Sequence, residues 1–260
     1  MAGAVLAVEN LSVSYDGRAV VRRVNFTLRR GEILVIAGES GSGKSTVLKA
    51  VMGILGRGGA ISEGRIVLQG RDITSIAPRE RRKLAGETLA MIFQNAGASF
   101  CPIRRVGEQI YESVREHRNW SRAEFRTKAK VIMEHINLPE NALDEYPFRL
   151  SGGMGQRVGI LAAMILEPEL LLADEPTSAL DTVTQVKVAQ ELMGLRERLG
   201  LSLVMVTHHM GLAWYMADKI LVMRRGQMLE IGDREQIFNS PRDPYTQELI
   251  RAVPRFKETA

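Results

Sequence analysis

One stretch, Gly38-Glu39-Ser40-Gly41-Ser42-Gly43-Lys44-Ser45-Thr46, constrains this chain more than any other. It fits G-x-x-x-x-G-K-[ST], the loop that wraps nucleotide phosphates. The apolar run Ile33 to Ala37 before it has the length of a buried strand. After it, Val47, Leu48, Val51, Met52 and Leu55 are spaced as one face of a helix. The loop therefore sits between strand and helix, the setting the motif needs. Its glycines let backbone N–H groups approach a phosphate without a Cβ in the way. The helix N-terminus adds unpaired N–H groups and a partial positive charge. Lys44 is expected to reach the β- and γ-phosphates, and the Ser45 hydroxyl to ligate Mg²⁺.

With 260 residues the chain has ample length for a real core. Its net charge of +5 is scattered, with short clusters such as Arg79 to Lys83 and no long basic block. That is a weak footprint for nucleic acid; a face near anionic lipid, or a solvated face, explains it as well. The single cysteine, Cys101, excludes an intrachain disulfide or a self-contained iron–sulfur cluster and points to a reducing compartment. Met1 to Val8 has no basic n-region, so a signal peptide is not expected. The longest apolar stretch, Val158 to Leu166, is roughly half a membrane span. Attachment to a membrane is expected only through partners.

Ala4 to Tyr15 alternates as a half-buried strand, Asp16-Gly17 signals a hairpin turn, and Val20 to Leu28 reads as the returning strand. Ile61 to Leu68 predicts a further strand followed by a turn at Gly70-Arg71-Asp72. These segments predict a small antiparallel sheet beside a parallel one. Tyr15 at its edge suits either stacking on an adenine ring or plain packing. Leu89 to Phe93 is a short buried strand ending at Gln94, whose amide can reach a Mg²⁺ shell or a water. Residues 95–150 carry helical periodicity and read as an insertion with its own small core.

Leu150 to Arg157 then opens an apolar helix, Val158 to Leu166. Ser151, Gly152 and Gly153 form a second small-residue anion site at a helix N-terminus. One chain has no obvious need for two such cradles. The economical explanation is that this one contacts the γ-phosphate of a nucleotide on another subunit; the plainer one is a glycine-rich cap. Leu170 to Asp174 is an apolar strand ending in two carboxylates, Asp174 and Glu175. Asp174 is placed to hold Mg²⁺, and Glu175, pointing the other way, to take a proton from an attacking water. His208 follows the buried strand Ser202 to Val206 and could orient that water. Lys219 to Met223 and Gln227 to Ile231 read as a last hairpin about Arg225-Gly226.

In this order these motifs resemble the ATP-binding subunits of ABC transporters, over essentially the whole chain. The resemblance implies an α/β P-loop NTPase fold, RecA-like, with an N-terminal antiparallel β subdomain and a helical subdomain. It divides the chain into a catalytic core with its β subdomain (1–94 and 160–231), a helical subdomain (95–159) and a C-terminal tail (232–260). Tyr15 looks like the adenine-stacking aromatic, Gly38 to Thr46 like Walker A, and Gln94 like the Q-loop residue. Leu150 to Gln156 look like the signature, Leu172 to Glu175 like Walker B with its base, Ser178 to Asp181 like the D-loop, and His208 like the switch histidine. Met154 and His209 depart from the commoner Gln and Asp. The tail Ser240-Pro241-Arg242-Asp243-Pro244-Tyr245-Thr246, followed by Leu249 and Ala252-Val253-Pro254, is similar to that of oligopeptide, dipeptide and nickel importers. Gln94-Asn95 and Ser99-Phe100 lean toward the nickel type. Implied with this are ATP and Mg²⁺, a second ATP-binding subunit dimerised head to tail, and two transmembrane permease subunits. A solute-binding protein acts indirectly, and the chain sits at the cytoplasmic face of the membrane. The other class, a soluble ABC ATPase acting on nucleic acid or the ribosome, is expected to carry tandem domains or long coiled-coil insertions, and neither is seen.

Overall fold

The computed structural model describes residues 3–178 and 180–252. Ala179 of the D-loop stretch and Val253-Pro254 of the tail motif lie outside the described residues. Two long strands, β1 (Ala4–Tyr15) and β2 (Arg18–Arg29), pair antiparallel through an Asp16-Gly17 turn. Both turn residues have positive φ, 47° and 77°, the twist that a two-residue hairpin demands. β4 (Gly59–Leu68) flanks β1, and the two-residue β5 (Arg71–Asp72) closes the edge. The turn after β4 is therefore Gln69-Gly70, at φ 51° and 79°, one residue earlier than the sequence suggested. Leu68 pairs with Arg71 across it, so Arg71 and Asp72 belong to a strand.

The other half of the sheet is parallel. β3 (Ile33–Gly38) lies between β8 (Ser202–Thr207) and β9 (Lys219–Arg224); β7 (Leu170–Asp174) follows β8, and β6 (Leu89–Ile92) forms the far edge. β10 (Gln227–Asp233) returns antiparallel to β9 and touches β2 at Gln227 and Arg22, which joins both halves into one sheet of ten strands. β3, β6, β7 and β8 bury every residue. Such continuous apolar runs are what a parallel strand covered on both faces requires.

One face is covered by α1 (Lys44–Met52) and the antiparallel strands, with Leu34, Ile36, Leu172 and Val206 meeting Val47, Leu48 and Val51. The opposite face is covered by α5 (Gly152–Met164), α6 (Thr182–Leu199) and α7 (Met210–Met216). The region 95–150 folds into α3 (Val106–Arg115), α4 (Arg122–His135) and short 3₁₀ turns. It does not have a separate core: Val106, Ile110, Phe125 and Ile132 belong to the same apolar cluster as Ile33, Ala90 and Leu171. α5 is the reason, because it is buried along most of its length and packs against both. The basic cluster Arg79 to Lys83 lies in a helix the sequence reading left out, α2 (Pro78–Leu84), which buries no residue fully.

A desolvated ion pair ties α5 to α6. Arg157 donates to Glu191 at 2.7 Å through Nη2 and at 3.0 Å through Nε, and their side chains are only 13% and 4% exposed. Asn137, just past α4, adds a donor to the same carboxylate at 3.2 Å. Removing one partner leaves the other charge buried and poorly compensated. Arg157→Ala is expected to lower unfolding stability by about 3 kcal/mol, read from urea titration without nucleotide. A loss well under about 1 kcal/mol is what an exposed pair gives, and would show that this one is not desolvated in solution.

Candidate nucleotide-binding and hydrolysis site

Register brings the polar strand ends together. β3, β8, β7 and β6 are successive parallel neighbours, so their C-terminal ends open on one edge of the sheet. Ala37 pairs with Thr207, Val206 with Asp174, and Ala173 with Ile92. The residues just beyond those pairs are the phosphate-loop motif, His208, Glu175 and Gln94. Four segments distant in sequence thus meet at the sheet edge where α/β folds place their ligands.

In the loop, Glu39, Ser40 and Gly41 are exposed, whereas Ser42 and Lys44 are buried. Gly43 caps α1 at φ 96°, and Lys44, Ser45 and Thr46 form its first turn. The glycines have different reasons. A Cβ on Gly38 would stand 2.0 Å from the Met223 carbonyl, so close packing of β3 on β9 demands it. Gly41 has open space around it but φ of 78°, so its backbone demands it. Lys44 Nζ donates to the carbonyls of Gly38 at 2.9 Å and Glu39 at 2.7 Å. Burial lowers its pKa, against the pull of Glu175, Asp174 and Glu39.

Ser45 Oγ donates to Asp174 Oδ1 at 2.7 Å. Asp174 is 5% exposed, and burial raises its pKa; the Ser45 hydrogen bond and the nearby lysines only partly offset this. Among the described residues no three His, Cys, Asp or Glu side chains form a metal cluster. Yet a hydroxyl and a desolvated carboxylate in contact are hard oxygen donors, and a carboxylate short of positive charge suits a Mg²⁺ whose other ligands are phosphate and water.

Glu175 stands beyond β7 with φ of 46°, a costly conformation for a non-glycine residue. Its N–H donates to the Val206 carbonyl at 3.0 Å, and its own carbonyl accepts from Ser178 N at 3.2 Å. Its carboxylate receives His208 Nδ1 at 3.2 Å and Gln94 Nε2 at 3.4 Å. With the proton on Nδ1, His208 holds that carboxylate and turns Nε2 outward. Gln94 and His208 are both exposed, and Glu175 is largely covered.

The second cradle opens α5. Its helix begins at Gly152, not at Val158, because Ser151 caps it: Ser151 Oγ accepts from Met154 N at 3.3 Å. Ser151 and Gly152 are exposed and Gly153 half-buried. Asp181 caps α6, accepting from Thr184 N at 3.0 Å and Thr184 Oγ1 at 2.6 Å, and these two bonds hold its pKa below the usual range. Tyr15 ends β1 half-buried, its hydroxyl donating to the Leu55 carbonyl at 2.9 Å. His209 acts as the cap of α7, its Nδ1 accepting from Leu212 N at 3.2 Å. Sequence reasoning saw only that an Asp is usual there; a helix-capping position was the available signal.

The ABC transporter family pattern matches residues 21–178, and the oligopeptide/dipeptide transporter C-terminal region matches 229–260. The chain is 40% identical to the dipeptide transport ATP-binding protein DppD of Escherichia coli K12, over 98% of this chain and 80% of that one. It is 42% identical to the glutathione import ATP-binding protein GsiA of the same strain, over 98% of this chain and 43% of that protein. Among solved structures it resembles the ATP-binding cassette MJ0796, a dimer in a post-hydrolysis state with ADP and Pi. The TM-score is 0.79 at 27% identity, over 88% of this chain and 98% of that one. CbiO1 of Clostridium perfringens, part of the ABC transporter complex cbiONQ, matches with a TM-score of 0.80 at 26% identity over 92% of both chains. This chain belongs to the ABC transporter family and carries the C-terminal region of oligopeptide/dipeptide transporters.

Proposed function

We propose that this subunit energises uptake of peptides, closing head to tail with a second ATP-binding subunit around two ATP molecules. The observation that carries the chemistry is the Glu175 carboxylate, held by His208 and Gln94 beside the Ser45–Asp174 pair and the phosphate loop. In this reading Gly38 to Thr46 surround the phosphates, Lys44 exchanges its two carbonyl partners for phosphate oxygens, and Tyr15 lies against the adenine. Ser45 and Asp174, with Gln94 at the margin, would hold Mg²⁺, which would supply positive charge against the phosphates. Glu175 takes the proton of the attacking water, His208 keeps the carboxylate turned toward that water, and the products are ADP and phosphate.

The head-to-tail arrangement is supported by Gly152. Its φ is not positive, and among the described residues an added Cβ would meet nothing nearer than Leu180 at 4.0 Å. Among the described residues neither strain nor crowding accounts for a glycine at this first helical position. A phosphate approaching from a facing subunit accounts for it, with the Ser151 hydroxyl and the α5 N-terminus as donors. Asp181, at the start of α6, then lies at the seam between subunits.

Among the described residues no helix is long and apolar enough to cross a membrane. Two transmembrane permease subunits, served by a solute-binding protein, provide the path, and this subunit sits peripherally at their cytoplasmic side. The peptide class rests on the 229–260 match and on relatives named for dipeptide and glutathione. The nickel leaning of Gln94-Asn95 and Ser99-Phe100 gains no support from them, nor does action on nucleic acid.

Glu175→Gln is expected to lower turnover by about 10²–10⁴ while ATP binding persists and the closed dimer accumulates on size exclusion. Normal multiple turnover would show that Glu175 is not the base. Ser151→Arg is expected to leave ATP binding to the single subunit intact and to prevent closure. Hydrolysis at the parent rate in that variant would give the second cradle another role.

A further inference from the structure

The tail from Ser240 to Thr246 has no part in the chemistry described so far, but its course through the fold leads to the phosphate loop. Glu230 on β10 is 8% exposed and accepts from the backbone N–H groups of Arg242 at 3.0 Å and Asp243 at 3.1 Å. Burial pushes its pKa up; those two N–H groups and Gln236 outweigh this and hold it below the usual range, as a carboxylate. Past the short α8 (Arg234–Asn239), Asp243 caps the last described helix, α9 (Pro244–Arg251), accepting from Tyr245 N at 2.8 Å and Thr246 N at 3.3 Å. The first turn of α9 is thereby fixed in place, and Tyr245 is buried against the main apolar cluster.

Tyr245 Oη accepts from the backbone N–H of Glu39 at 3.0 Å. The peptide that carries this N–H also carries the Gly38 carbonyl, which Lys44 Nζ holds at 2.9 Å. One peptide group is thus gripped at both ends, by the tail on its N–H and by the loop lysine on its C=O. The grip matters because Gly38 stands at φ 145° and has no side chain to restrain it. Arg224 reinforces it: its guanidinium lies 4.4 Å from the Tyr245 ring centroid, and its Nε is 3.8 Å from Glu39 Oε1.

We propose that Tyr245 is a positioning residue for the nucleotide site: the C-terminal tail sets the first peptide of the phosphate loop and, through it, the starting position of Lys44. This rests on reading 38–46 as the phosphate loop.

Tyr245→Phe removes the acceptor and keeps the ring on which Arg224 stacks. In the assembled transporter it is expected to raise KM for ATP by about three- to tenfold, the equivalent of one net hydrogen bond, with the effect falling on KM rather than kcat. Hydrogen exchange should quicken in the peptide spanning 38–43, while the amides of α9 keep their protection. An unchanged KM, unchanged exchange in the loop, or lost protection in α9 itself would overturn the assignment, the last because it would mean general loosening of the tail. Lys44→Ala, measured alongside, should abolish ATP binding. If it does not, the loop reading itself fails and the Tyr245 assignment falls with it; if it does while Tyr245→Phe behaves as the parent, only the role of Tyr245 is lost.

Discussion

The parallel register of β3, β8, β7 and β6 is the constraint from which the site follows. Each of these strands is buried from end to end, and their polar residues sit only at strand ends: Ser202 opens β8, Thr207 closes it and Asp174 closes β7. The shared register makes the C-terminal ends stop together. A one-residue slip of β7 against β8 would exchange the faces of Asp174 and its apolar neighbours. The alternating contacts of Leu170 and Leu172 with one apolar layer, and Leu171 and Ala173 with the other, oppose that slip. Packing of the two layers thus holds Asp174 on the Ser45 side.

Within the site, burial and charge work against each other in a useful way. Lys44 and Asp174 are both desolvated, one with its pKa lowered and the other raised, so each form that carries charge is under pressure. They do not pair with each other; Lys44 rests on carbonyls and Asp174 on a hydroxyl. Groups left in this condition gain from opposite charge more than exposed ones do, because the local dielectric is low. In the proposed function an anionic triphosphate would answer the lysine, and a divalent cation the aspartate. Glu175 differs: hydrogen bonds at its N–H and carbonyl hold an unfavourable backbone angle, and His208 and Gln94 hold its carboxylate.

Much of this was legible in the chain because it is local. The phosphate loop, the strand ending in Asp174-Glu175 and the hairpin about Arg225-Gly226 each depend on a few successive residues, and each was found where expected. What was missed depends on contacts far apart in sequence. The Arg157–Glu191 pair joins helices separated by the whole of β7, and Tyr245 meets Glu39 across almost the full chain. Periodicity cannot report either. The separate core expected for 95–150 failed for a related reason: α5 shows strong apolar character all round, and only its packing reveals that it serves both regions at once. His209 reads in the sequence only as a departure from the commoner Asp, because its capping bond is a matter of geometry.

The two cradles differ in how their own chain treats them, and that difference argues for a second subunit. In the phosphate loop nearly every feature has an internal explanation: Gly38 by crowding, Gly41 by its backbone angle, Lys44 by its carbonyl partners. Around Ser151 to Gly153 the explanations thin out. Gly153 is limited by Thr184, at 3.2 Å from an added Cβ, but Gly152 faces open space on an exposed first turn. α5 and α6, bound by the Arg157–Glu191 pair, present Ser151 and Asp181 at their N-termini as one rigid piece. The glycine at its tip, unexplained by contacts among the described residues, leaves the start of α5 open to a group from outside. In the proposed head-to-tail arrangement, that group is the γ-phosphate held on the loop of the facing subunit.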